Sequence, residues 1–179
     1  MAGQVIEDAV LKRLFFALWP DPDTRRQCFD VVRRVKAYGR PVQASNLHLT
    51  LVFLGATAED QEKALIAAAN RIRFNPMRLS FDRVSHWRKP AVCCMTSSTT
   101  DDAMTSLVMQ LRQIVVAENI AIDARAFRPH ITLLRKCSTA PPPLSIQPIL
   151  WRSQAFCLVE SCSTPSGVNY RVLQQWTAH

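Results

Sequence analysis

The sequence predicts an α+β protein with mostly antiparallel sheets, and three observations lead there. Apolar strand-like runs outnumber segments with helical spacing, and two pairs of strands follow one another across only a turn. Such consecutive strands pair antiparallel. Third, the tetrapeptide His48-Leu49-Thr50-Leu51 recurs as His130-Ile131-Thr132-Leu133, each copy in strongly strand-forming surroundings.

Residues 13–19 (RLFFALW) read as a buried strand closed by Pro20. After Pro22, residues Cys28, Val31, Val32 and Val35 lie close to one helical face, and Gly39 is placed to close that helix. Residues 46–54 (NLHLTLVFL) form the first motif strand, ending at Gly55. Thr57 is placed to cap a helix running to about Arg73, with Leu65, Ala68, Ala69 and Ile72 inward. Two strands are expected at 78–87 and 91–97, joined by the basic turn Arg88-Lys89-Pro90. A third helix begins near Thr100, with Asp101 and Asp102 favourable in its first turn. Its stripe is Met104, Leu107, Val108, Leu111, Ile114 and Val115. The second motif strand, 130–136, follows Pro129. Residues 140–148 (APPPLSIQP) are too proline-rich for an element, and 154–163 and 169–177 form a final hairpin around Pro165-Ser166-Gly167.

With 179 residues the chain, residues 1–179, is expected to form one domain or two closely packed lobes, with flexible residues 1–11. A hydrophobic content of 48% with 20% charged residues is that of a globular protein in water. The 22 Lys+Arg against 14 Asp+Glu give a net charge of +8, which favours polyanions such as RNA, DNA or anionic lipid. The six cysteines show no CxxC pair and no zinc-finger spacing, so they read as buried free thiols in a reducing compartment. The start, MAGQVIEDAVLKRLFF, carries two acids and lacks the apolar stretch of a signal peptide, and no segment approaches the ~20 apolar residues of a membrane span. A cytoplasmic monomer with no membrane contact is expected.

The repeated motif carries the chemistry. Side chains i and i+2 of a strand share a face, so each copy presents an imidazole and a hydroxyl together and turns two aliphatic residues inward. One His-x-Thr is uninformative. Two copies with the same alternation, in a chain with only four histidines, are not. Facing each other across a cleft, His48 and His130 can divide the labour on a phosphate ester, because imidazole gives or takes a proton near neutral pH. Thr50 and Thr132 can donate to the non-bridging oxygens. No set of Asp, Glu, His or Cys accompanies the motif, so neither metal nor other cofactor is expected. His86, before a Trp and a basic turn, and His179, the last residue, read as structural or solvent-exposed.

RLFFALW, NLHLTLVFLG, FRPHITLLR and YRVLQQW occur in the order in which they stand in the two-histidine phosphoesterase superfamily. The chain resembles most closely its bacterial RNA 2′,3′-cyclic phosphodiesterases, the ThpR/LigT group also called 2′-5′ RNA ligases, from about Arg13 to Trp176. The resemblance implies a bilobal LigT-like fold with pseudo-two-fold symmetry, outer helices and a central cleft. It implies metal-independent hydrolysis of a terminal 2′,3′-cyclic phosphate to a 2′-phosphate, and ATP-independent 2′-5′ joining of RNA ends. It implies His48 and His130 as the catalytic pair, with Thr50 and Thr132 beside them, and leans towards His130 as base and His48 as acid. It adds Phe53 for stacking on a base and Arg135 for phosphate. Strict alternation turns both away from the cleft, because an odd offset from the histidine changes face; their roles require a bulge or a strand end. Arg13 and Arg128 are further cations for the rim. The proline-rich 140–148 segment departs from the family as a loop variation.

Two other readings fit the residues. The same chemistry can act on small cyclic nucleotides, 2′-5′ oligoadenylate or an ADP-ribose cyclic phosphate. A basic RNA-binding module without turnover fits the charge but leaves the duplicated motif unexplained.

Overall fold

A computed structural model describes residues 11–165 and 167–178. The expected flexible start thus lies, apart from Leu11, outside the described residues, as do Ser166 of the last turn and His179. Three helices and ten strands are described: β1 (Lys12–Leu18), α1 (Pro22–Val35), β2 (Arg40–Pro41), β3 (Leu49–Thr57), α2 (Glu59–Ala69), β4 (Met77–Phe81), β5 (Arg83–Trp87), β6 (Val92–Thr96), α3 (Asp102–Ala117), β7 (His130–Arg135), β8 (Ile149–Ser153), β9 (Ala155–Thr164) and β10 (Gly167–Thr177).

Two antiparallel four-stranded sheets carry the molecule, in the orders β10-β9-β1-β3 and β2-β7-β6-β5. Each holds one motif strand, and β3 and β7 lie against each other. The predicted α+β class with antiparallel sheets stands. A third, two-stranded sheet pairs β4 with β8. Helix α1 packs on β7 and β8, and α3 packs on β3.

Local chemistry explains the helices. Asp21 caps α1, its Oδ1 accepting from the Thr24 N–H at 2.8 Å, and Pro22 follows where a missing N–H costs nothing. The α1 face Cys28, Val31, Val32, Val35 is buried as expected. Asp101 caps α3 by accepting from the Met104 N–H at 2.9 Å. The α3 stripe is buried except for the half-buried Ile114.

Five expectations are corrected. Gly39 does not close α1 in a left-handed turn. A single 3₁₀ turn (Lys36–Tyr38) follows the helix, and Gly39 is extended; its role is close approach, since a Cβ there would stand 2.9 Å from the Arg135 carbonyl oxygen. The first motif strand begins at Leu49, after a 3₁₀ turn over Ala44–Asn46, and runs through Gly55 to Thr57 with Gly55 at φ +77°. Thr57 is therefore a buried strand residue, its hydroxyl bonded to the Gly55 carbonyl, and α2 starts after it. That helix stops at Ala69, where tighter i→i+3 turns take over, although Ile72 stays buried. The expected 78–87 strand breaks at Asp82, whose carboxylate accepts from the Ser98 N–H (3.0 Å) and from its hydroxyl. Its halves join different sheets. The short β2 and β8 had not been expected.

One continuous core fills the space between sheets and helices, with Phe16, Phe81 and Phe156 fully buried. Phe15 and Ala17 alternate with it and face the other way, with Cys157 and Val159. All six cysteines are unpaired, five of them buried.

Candidate active site

Both motif strands break their alternation at the same place. Against β1, β3 steps from Phe16↔Val52 to Ala17↔Thr50, so Leu51 is an extra residue. Against β6, β7 steps from Cys93↔Leu134 to Cys94↔Thr132, so Leu133 is extra. Each stands three residues past its motif histidine. A bulge inserts one residue and turns the rest of the strand to the opposite face. Leu51-Val52 and Leu133-Leu134 are accordingly consecutive buried pairs. Beyond them Phe53 (50% exposed) and Arg135 come back to the side of the histidines. This meets the requirement that the odd offset imposed. The duplication thus extends over six residues, HLTLVF and HITLLR, with Phe53 and Arg135 in equivalent positions.

His48, Thr50, Phe53, His130, Thr132 and Arg135 all line one cavity of about 820 Å³. The imidazoles are held alike. His48 Nδ1–H donates to the Asn46 carbonyl at 2.6 Å, and His130 Nδ1–H donates to the Arg128 carbonyl at 2.8 Å. In each case the partner is the carbonyl two residues upstream. This bond assigns the proton of the neutral ring to Nδ1 and leaves Nε2 as the free base. The Thr50 hydroxyl donates to His48 Nε2 at 3.1 Å. Asn46 is itself tied to β10, its Nδ2 donating to the Val168 carbonyl at 2.7 Å.

Aromatic rings surround the pair. Phe15, Trp19 and Tyr170 stand 5.0, 5.7 and 4.9 Å from the His48 ring, centroid to centroid. Trp87 stands 4.6 Å from His130, and the Arg128 guanidinium lies 5.0 Å over Trp87. Burial in this setting lowers the His48 pKa to about 4, with Arg135 and His130 pushing the same way against the Asn46 hydrogen bond. Burial also lowers His130, aided by Arg128 and Arg135. Both rings are therefore neutral at pH 7.

The rest of the lining is basic and hydroxylic. Arg13, Arg40, Arg125, Arg135 and Lys136 contribute, with Ser161, Ser163 and Tyr170, and no carboxylate is among the described lining residues. Of the two expected rim cations, Arg13 lines this cavity and lies 5.8 Å from the Phe53 centroid. Arg128 lines an adjoining cavity of about 540 Å³. His86 stands apart, with its Nε2 at 2.7 Å from the Cys137 carbonyl, a structural role as expected. Among the described residues no three His, Cys, Asp or Glu side chains gather as a metal site, and no helix is long and apolar enough to cross a membrane.

Sequence reasoning missed Asn46, Trp87, Tyr170 and Arg40. Asn46 was visible as the residue two before the histidine. Tyr170 opens the YRVLQQW segment but was given no role there, while Trp87 and Arg40 depend on strand register and carry no local signal.

An antiparallel α+β fold that brings two matched His-x-Thr strands to one basic cleft defines a phosphoesterase of the two-histidine class. Residues 18–94 match the family model described as LigT like Phosphoesterase. The RNA 2′,3′-cyclic phosphodiesterase of Escherichia coli (strain K12) is 36% identical over 137 residues, 74% of this chain and 78% of that protein. The protein of the same name from Thermus thermophilus is 27% identical over 180 residues, 92% of this chain and 89% of that one. A crystal structure of E. coli LigT complexed with 3′-AMP matches with a TM-score of 0.86 at 31% identity, covering 94% of this chain and 99% of that one. This chain belongs to the LigT-like phosphoesterase family.

Proposed function

We propose that this chain is an RNA 2′,3′-cyclic phosphodiesterase, hydrolysing a terminal 2′,3′-cyclic phosphate to a 2′-phosphate without a metal, with His48 and His130 as its acid–base pair. The observation that carries this reading is the matched pair of imidazoles, each anchored through Nδ1 to the carbonyl two residues upstream so that Nε2 is left for chemistry. The names of its relatives support the substrate class.

His130 Nε2 takes a proton from water as the water oxygen bonds to phosphorus. The bond from phosphorus to O3′ breaks on the far side, and His48 Nε2–H gives its proton to O3′. The phosphate then remains on O2′. Each transfer contributes typically ~10²–10⁴-fold. Thr50 and Thr132 donate to the non-bridging oxygens, and Arg135 balances their charge. Phe53 stacks on the base. His48 on its own is neutral at pH 7, and a bound phosphate anion favours its protonation. A ribose 5′-hydroxyl in place of water gives a 2′-5′ bond by the same two transfers, so ATP-independent ligation belongs to the same site. Both motif strands come from one chain, which supports a single two-lobed domain acting as a monomer on RNA ends or nucleotide cyclic phosphates. The six unpaired cysteines support a cytoplasmic location.

The test is turnover of a nucleoside 2′,3′-cyclic phosphate in EDTA with the product identified. Nucleoside 2′-phosphate, formed at a rate that chelation leaves unchanged, is expected. A 3′-phosphate product, or activity lost in EDTA and restored by one divalent metal, overturns the mechanism.

A further inference from the structure

The cleft holds more positive charge than one cyclic phosphate needs. That group carries a single negative charge, which Arg135 already faces in the proposed mechanism. Arg40 stands directly opposite Arg135 in the β2–β7 pairing. Like charges opposite each other on a sheet are unfavourable. Among the described residues neither arginine has a carboxylate partner; Arg135 donates only to the neutral Tyr170 hydroxyl, at 3.3 Å.

The backbone is shaped to keep this arrangement. Strand β2 has two residues, both exposed, so it adds nothing to the core. It is nevertheless pressed against β7 through Gly39, where any Cβ would meet the Arg135 carbonyl oxygen at 2.9 Å. Across the mouth, the Arg40 guanidinium reaches the β9–β10 turn of the other sheet, where a Cβ on Gly167 would stand 3.2 Å from its Nη2. Lys136, Ser161 and Ser163 line the same cavity, which has no described carboxylate, and Ser161 and Ser163 stand opposite Tyr170 and Val168 in the β9–β10 pairing.

We propose that Arg40, with Lys136, Ser161 and Ser163, forms a second phosphate subsite beside Arg135, which takes the phosphodiester linking the terminal nucleotide of an RNA to the one before it. This deepens the proposed function and rests on the scissile phosphate lying between the two histidines. A free 5′-phosphate on a mononucleotide has the same local chemistry, and a choice of three substrates separates the two sources.

The experiment compares wild type, Arg40→Gln and Arg40→Lys on a nucleoside 2′,3′-cyclic phosphate, its 5′-phosphorylated form, and a dinucleotide ending in the cyclic phosphate. Arg40 is exposed, so these variants keep the fold. Arg40→Gln is expected to lower kcat/KM for the dinucleotide by about 10- to 100-fold, the range of a charge-assisted hydrogen bond. The unphosphorylated mononucleotide should change less than about threefold on the same scale, and Arg40→Lys should recover part of the loss. Equal losses on all three substrates would overturn the proposal, by showing that Arg40 serves the scissile phosphate or merely holds Arg135. No loss on any would overturn it too. A loss on the 5′-phosphorylated mononucleotide but not on the dinucleotide would overturn the RNA source. Failure of wild type to hydrolyse the simple cyclic phosphate would instead remove the underlying functional reading.

Discussion

At the scale of the residue, the protonation of the two histidines sets the behaviour of the cleft. Both pKa values lie below the ordinary histidine value of 6.5, that of His48 at about 4. The reactive form needs one ring charged and the other neutral. Its fraction in the free enzyme peaks between the two pKa values, hence between about 4 and 6.5. The expected kcat/KM profile is a bell in that window, falling about tenfold per pH unit above it. Bound phosphate raises both pKa values, so the kcat profile should lie at higher pH; a kcat/KM that keeps rising above pH 7 contradicts the depressed pair. The same shift acts on stability. A folded-state pKa depressed by burial means that the native protein binds fewer protons than the unfolded chain. Stability is then lost as pH falls from about 6.5 towards 4. Thr50→Val and Thr132→Val delete a hydroxyl while preserving shape. Losing one such donor costs ~10²–10³ in kcat in a dry site, and the smaller end is expected in this open cleft. Thermal stability should hardly change, because Leu49, Leu51, Ile131 and Leu133 stay buried.

The element scale is where the sequence was readable in part. The α3 stripe was legible because its spacing is local, and the motif strands because alternation is. The bulges left a trace too: Leu51-Val52 and Leu133-Leu134 put two aliphatics in succession where strict alternation allows one. That trace explains why Phe53 and Arg135 reach the cleft in spite of their odd offset. The break at Asp82 was illegible because Ser98, its partner, is distant in sequence. Strand β2 was illegible because two residues carry no period. Its effect is large nonetheless, since register against β7 sets Arg40 opposite Arg135. Gly39 is the point of control. Gly39→Ala forces a Cβ to within 2.9 Å of the Arg135 carbonyl oxygen and 3.2 Å of Cys137. The expected cost is that of an overpacked site, about 1–3 kcal/mol in denaturant unfolding. Activity should fall as well, because β7 carries His130, Thr132 and Arg135. Wild-type stability and turnover in this variant would show that β2 yields without consequence.

For the whole molecule, the net charge of +8 and the basic cleft predict that kcat/KM falls with salt more steeply for an RNA oligomer than for a cyclic mononucleotide. Equal slopes would mean that the basic surface does not serve RNA, and would favour small cyclic nucleotides. The fold supplies His130 from β7 of one sheet and His48 from just before β3 of the other, so their cooperation belongs to the whole chain. That cooperation is measured most directly by the hydrolysis rates of His48→Ala, His130→Ala and the double variant on one nucleoside 2′,3′-cyclic phosphate. Each single variant should lose about 10²–10⁴-fold in kcat. The double variant should be little worse than the poorer single, because groups that act as a unit are not additive. Near-wild-type turnover by either single variant would contradict the two-histidine mechanism, since that histidine would then be neither acid nor base.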